Sequence, residues 1–172
     1  MLLQANGQVW REGNNVIVLE VEFPSNFLPW LTLERQGVEL RRLKLVDGLT
    51  TPKAFREIID ARTRVVTLSQ VQYFNEFCAD LAAMSEITHA RGALLVVDGT
   101  QSVGAVQIDV DAMGIDALVV SSHKWMLGPL EIGFMALSDE MLERTRVTQL
   151  GWLSVNDPFA FNREIDLPDD AS

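Results

Sequence analysis

The 172-residue chain holds a single cysteine, Cys78, so no internal disulfide can form and nothing in its stability calls for an oxidising compartment. Basic residues are scarce: 14 Lys plus Arg stand against 24 Asp plus Glu, a formal charge of −10. That deficit argues against a nucleic-acid partner and against an anionic membrane surface, both of which attract basic patches. No apolar run approaches the roughly 20 residues that a membrane-spanning helix needs. The opening Met1-Leu2-Leu3-Gln4-Ala5-Asn6 lacks the basic region that begins a secretory signal. Internal repeats are missing, as are the nucleotide-binding patterns Gly-x-x-x-x-Gly-Lys and Gly-x-Gly-x-x-Gly. These absences predict a cytoplasmic protein with neither membrane nor nucleic acid among its partners.

What is present suffices for one domain with a real core, since 48% of residues are apolar. Strand-like and helix-like segments alternate, the pattern of a mostly parallel sheet flanked by helices in three layers. Val16 to Glu20, Arg64 to Ser69, Ala93 to Val97, Ala117 to Val120 and Gly133 to Leu137 read as strands. Val38 to Leu45 alternates apolar and charged residues, which suits a half-exposed edge strand. Helices are expected from Asn26, as a cap, to Gln36 with Gly37 ending it; from Thr51-Pro52 to about Ala61; from Asp80 to Arg91; and from Ser138-Asp139-Glu140 onward. This α/β core is expected to occupy residues 1–150. From Gly151 the periodicity fades, so 151–172 reads as the start of a loosely ordered connection.

Two of the apolar runs end in chemistry. Ala93-Leu94-Leu95-Val96-Val97 runs into Asp98, and Ala117-Leu118-Val119-Val120 into Ser121-Ser122-His123-Lys124. In open α/β sheets the ligand crevice lies beyond the carboxyl ends of the strands, so a buried acid and a buried lysine are expected to face one pocket. The economical task for such a pair is holding pyridoxal 5′-phosphate, the lysine forming an imine with its aldehyde and the carboxylate keeping its pyridine nitrogen protonated. Taken singly, each group has a plainer reading: a lysine at a strand end snorkels to solvent, and Asp-Gly caps a turn.

Asp98-Gly99-Thr100-Gln101-Ser102 followed by Ser121-Ser122-His123-Lys124-Trp125 resembles the class V aminotransferase family of fold-type I enzymes, which includes cysteine desulfurases, selenocysteine lyases and isopenicillin N epimerase-like proteins. Glu22-Phe23-Pro24-Ser25-Asn26-Phe27-Leu28-Pro29-Trp30 and Ser69-Gln70-Val71-Gln72-Tyr73 also look like family segments. The resemblance implies that Lys124 is the catalytic, cofactor-binding lysine and that Asp98 pairs with the pyridine nitrogen. Gln101 would meet the phenolic oxygen, Ser121 and His123 the phosphate, and Gln72 the neighbourhood of the ring, with Tyr73 lining the substrate pocket. It further implies an amino-acid substrate, chemistry at Cα (transamination, elimination, desulfuration or epimerisation) and a homodimer.

By the family's pattern, the phosphate-binding turn and the residue stacked on the ring precede Met1, residues 1–10 are the rest of a helix, and the small domain follows Ser172. A truncated, catalytically silent homologue that folds and oligomerises is therefore the alternative reading. Glu76 and Glu131 stand where relatives commonly have glycine, and Cys78 lies in a helix-like stretch rather than on a desulfurase's cysteine loop.

Overall fold

The computed structural model describes residues 10–144, 151–160 and 166. Of the helix remnant expected over residues 1–10, all but Trp10, which is not helical, lies outside them, as does most of the tail after Ala160. The chain divides into two compact units, one of residues 10–138 and one of residues 1–9 with 139–172.

The first unit carries six strands: β1 (Asn15–Leu19), β2 (Glu39–Leu43), β3 (Thr63–Ser69), β4 (Leu94–Asp98), β5 (Ala117–Ser121) and β6 (Gly133–Leu137). They form one sheet in the order β2-β1-β3-β4-β5-β6. The first five are mutually parallel, and β6 returns antiparallel to β5. This is the expected three-layer, mostly parallel α/β fold. The near-continuous apolar strands follow from it, because a parallel sheet is covered on both faces and leaves no polar side. Ile17, Val66, Leu68, Leu95, Val97 and Leu118 form the core with Phe55, Leu81 and Met84 from the helices. The half-charged β2 lies at the edge, as its alternation predicts.

Helix α1 (Pro24–Leu31) continues as a 3-10 turn, Thr32–Gln36, and ends at Gly37 with φ 76°, a left-handed cap that glycine adopts without steric cost. Asn26 does not cap α1, contrary to expectation. The cap position is Phe23, Pro24 starts the helix, and the Asn26 side chain is committed elsewhere, to Glu22 and Thr67. Helix α2 (Pro52–Ile58) is capped by Thr51, whose hydroxyl accepts the Ala54 N–H, and α3 (Leu81–His89) by Asp80, which accepts that of Ala83. Cys78 is not helical: it forms a bridge with Val71 ahead of α3, and its side chain is exposed. In the second unit, Asp139–Arg144 forms α4, and Trp152 packs edge-on against Phe159 with ring centroids 5.5 Å apart.

Asp60 ties together the end of the sheet away from the motif residues. It accepts the Asn15 amide (3.0 Å) and the Arg62 N–H (2.8 Å), and Arg41 lies 2.9 Å from its carboxylate. Partial desolvation works to raise its pKa, but the hydrogen bonds from Asn15, the Arg62 backbone and Arg41 outweigh it and hold the carboxyl well below its usual 3.8. With the folded pKa depressed, this contribution to stability is complete above about pH 5 and fades as the pH falls through 3.8. Asp60→Asn is expected to lower the urea midpoint at pH 7 and to flatten its decline below that range, measured by urea unfolding at several pH values.

Glu76 and Glu131 have φ of 60° and 68°. Both positions therefore demand the left-handed backbone that glycine supplies freely and that costs another residue about 1–2 kcal/mol. Glycine returns roughly 0.5–1 kcal/mol of that through the entropy of the unfolded chain. Glu76→Gly and Glu131→Gly are each expected to stabilise the fold by about 0.5–1 kcal/mol in denaturant titrations.

Candidate functional site

Because β1, β3, β4 and β5 run in one direction, the residues after them gather at one edge of the sheet. The strand order reverses between β1 and β3, and the crevice beyond the strand ends at such a reversal is where open sheets take ligands. A cavity of about 180 Å³ lies there. Phe23 and Ser25 reach it from β1, Ser69 and Tyr73 from β3, Asp98, Thr100 and Gln101 from β4, and Ser121, His123 and Lys124 from β5.

The predicted residues Asp98, Gln101, Ser121, His123 and Lys124 are thus brought together. Asp98 and Lys124 are half-buried rather than fully enclosed, since each opens on the cavity. Gln72 is placed differently. It is fully buried and lines a neighbouring cavity of about 330 Å³ that shares Tyr73 and Gln101 with the first.

Short hydrogen bonds from backbone N–H groups to side-chain oxygens fix the two motif loops. Asp98 Oδ1 accepts the Thr100 N–H at 2.9 Å, and Thr100 Oγ1 accepts the Ser121 N–H at 3.1 Å, so the turn after β4 holds the end of β5. Gly104 has φ 98°, and a Cβ there would stand 2.6 Å from the Trp125 carbonyl oxygen, so only glycine lets the β4 loop approach the segment carrying Lys124. Ser121 Oγ lies 2.9 Å from His123 Nδ1. When the hydroxyl donates to that nitrogen, the imidazole proton sits on Nε2, available to an anion.

Reading the sequence missed two contributors from the β1 loop. Phe23 sets its ring 5.7 Å from Lys124 Nζ and edge-on to Tyr73 at 5.4 Å, so an aromatic cover for the cavity exists within the chain. Glu22 is buried behind it. Its carboxylate accepts the Ser69 N–H (2.8 Å), the Ser69 hydroxyl (2.7 Å), the Gln72 amide (2.6 Å) and the Asn26 amide (2.9 Å). A signal of the kind that found Asp98, a polar residue shortly after an apolar strand, applied to β1 points to Glu22, and Phe23 is its neighbour. Ser69, the last residue of β3, carries the same mark, whereas Ser25 and Thr100 do not. Among the described residues no group of three or more His, Cys, Asp or Glu is placed to hold a metal, and no helix is long and apolar enough to cross a membrane.

Comparison with known proteins matches this fold. A probable cysteine desulfurase of Methanothermobacter thermautotrophicus is 35% identical over 154 residues, 89% of this chain and 38% of its own length. The cysteine desulfurase CsdA of Escherichia coli superposes with a TM-score of 0.74 at 30% identity, over 78% of this chain and 34% of that one. A mutant of C-DES with glycine covalently linked to its PLP cofactor shares the fold, with a TM-score of 0.83 at 20% identity over 96% of this chain and 44% of that one. The chain spans little more than a third of the length of the curated relatives it matches. With the aminotransferase class-V model matching residues 1–165, the motif strands and their cavity fall inside one recognised pattern, and the chain belongs to the class V aminotransferase family.

Proposed function

We propose that this chain holds pyridoxal 5′-phosphate in the cavity at the strand ends and works at the Cα of an amino acid. The observation that carries the reading is the meeting of Asp98 and Lys124, from adjacent parallel strands, in one cavity with Ser121, His123 and an aromatic cover. The donor set suits the group: an amine for the aldehyde, a carboxylate for the pyridine nitrogen, a hydroxyl and an imidazole for the phosphate, and a ring face for the ring. At about 180 Å³ the cavity is smaller than the roughly 300 Å³ and upward of drug-sized sites and suits one substituted ring.

When bound, the cofactor supplies an electron sink for charge developing at the substrate Cα. Lys124 Nζ would hold the cofactor's aldehyde group and would carry a proton to and from the substrate Cα, a task for which a half-buried amine is suited. Asp98 faces the pyridine nitrogen with its carboxylate orientation fixed by the Thr100 N–H. Ser121 and His123 bind the phosphate, and Gln101 meets the phenolic oxygen. Phe23, whose ring centre lies 5.7 Å from Lys124 Nζ, would offer its face to the bound ring. Gln72 contributes through Glu22 and the wall shared by Tyr73 and Gln101.

Borohydride reduction after incubation with pyridoxal phosphate, followed by peptide mass mapping, is expected to place one pyridoxyl adduct, on Lys124, and none in Lys124→Ala. Asp98→Asn is expected to weaken retention by about tenfold to a hundredfold, the worth of a charge-assisted hydrogen bond. Weak labelling spread over all lysines would favour the silent homologue.

On this reading two copies pair and the protein works in the cytoplasm. The pairing is supported by the apolar side chains exposed between β5 and β6, Leu127, Leu130 and Ile132 among them. Light scattering is expected to give twice the 19.2 kDa of one chain, and Leu130→Glu to shift the protein toward monomer.

A further inference from the structure

Between β5 and β6 the chain makes a loop, residues 122–132, that carries His123 and Lys124 out from the sheet and returns. Its side chains give it little hold: of residues 121–132 Ser122 alone is buried, and Leu127 is 91% exposed. Yet the backbone is strained, with Leu127 at φ 55° and Glu131 at φ 68°, left-handed values that a residue with a Cβ adopts at a cost. Strain of this kind persists only where the surroundings over-determine the conformation.

Ser122 supplies that constraint. It stands between Ser121 and His123, which line the cofactor cavity, but is not itself among the lining residues. Its hydroxyl lies 3.0 Å from the Pro129 carbonyl oxygen and 2.9 Å from that of Ile132, and donates to this pair, which brackets Glu131. The Ser122 N–H also donates to the Ile132 carbonyl (2.9 Å), and the Ser122 carbonyl accepts the Gly128 N–H (2.9 Å). Gly128 is seated so closely that a Cβ there would stand 2.6 Å from Ser122 Oγ. From that seat the neighbouring Leu127 N–H reaches the Lys124 carbonyl at 3.0 Å. Thr100 holds the outgoing arm of the loop, through the Ser121 N–H, and one buried hydroxyl holds the returning arm.

We propose that Ser122 is a positioning residue for Lys124: its hydroxyl keeps residues 129–132 on their strained course and, through Gly128 and Leu127, fixes the main chain from which the reactive amine projects. The effect on the amine rests on the cavity holding pyridoxal phosphate; the hold on the loop does not.

Two measurements on the full chain test it. In the first, made without cofactor, Ser122→Ala is expected to speed amide hydrogen exchange about fivefold at Leu127 and Gly128, the worth of one buried hydrogen bond, while the amides of β3 and β4 keep their wild-type protection. In the second, borohydride trapping at one low concentration of pyridoxal phosphate is expected to yield about fivefold less adduct on Lys124 in Ser122→Ala. Glu131→Gly supplies the rescue. Glycine takes φ 68° freely, so the double variant Ser122→Ala/Glu131→Gly is expected to return the adduct to within about twofold of Glu131→Gly alone. A hydroxyl that served stability alone would lower the urea midpoint in both backgrounds and leave the adduct on folded protein unchanged. Unaltered exchange at Leu127 and Gly128, exchange raised throughout the sheet, a full adduct in Ser122→Ala, or a deficit that Glu131→Gly leaves in place each overturns the proposal. A wild-type chain that yields no adduct overturns the cofactor reading, and the positioning role with it, whatever the exchange shows.

Discussion

One buried carboxylate joins the two halves of the site. Glu22 follows β1, and Ser69 ends β3, on the two sides of the point where the strand order reverses. Four donors converge on that carboxylate, two of them from Ser69. Such a group is tolerated in a core because every lone pair it must satisfy has a partner, and removing one partner leaves a charge that water cannot reach. The position of Phe23, the next residue, follows from it. So does the direction of the Gln72 amide, whose nitrogen donates to the carboxylate. Asn26 extends the network to Thr67 on β3, which explains why a residue with good capping chemistry sits inside a helix instead.

Lys124 and Asp98 owe their meeting to simpler geometry. Parallel neighbours in register bring strand ends to the same height, and Asp98 stands beside Ser69 on one side and Val119 on the other. The chemistry is then a matter of which residue comes just after each apolar run. That is why Asp98, Ser121, His123 and Lys124 were readable from the sequence: the strand, its end and the reactive residue lie within a few positions of one another. The six strands and the caps of α2 and α3 were readable for the same reason, their causes being local.

The partners of Glu22 lie 47 and 50 residues away, and nothing in the local pattern of Val21, Glu22 and Phe23 announces them. Asn26 was misread because its side chain obeys tertiary partners rather than the helix start. Cys78 was misread because a two-residue bridge to Val71 outweighs a weak helical pattern. The destination of Gln72 was invisible for a related reason: alternation in Val71-Gln72-Tyr73 tells which faces differ, not which of two adjoining cavities each face borders.

The contact between Gly104 and the Trp125 carbonyl is made by main-chain atoms, and so are the links that hold the loop around Lys124, from Leu127 N–H to the Lys124 carbonyl and from Gly128 N–H to that of Ser122. The frame of the lysine is thereby set by main-chain atoms rather than by the side chains at 125, 126 and 127, which are exposed, Trp125 also lining the neighbouring cavity. Substitutions of the exposed side chains at 125 and 126 are expected to alter what the protein surface meets while leaving these main-chain links to the reactive amine in place. The reactive amine thus sits on a frame of main-chain atoms that demands the absence of a side chain at Gly104.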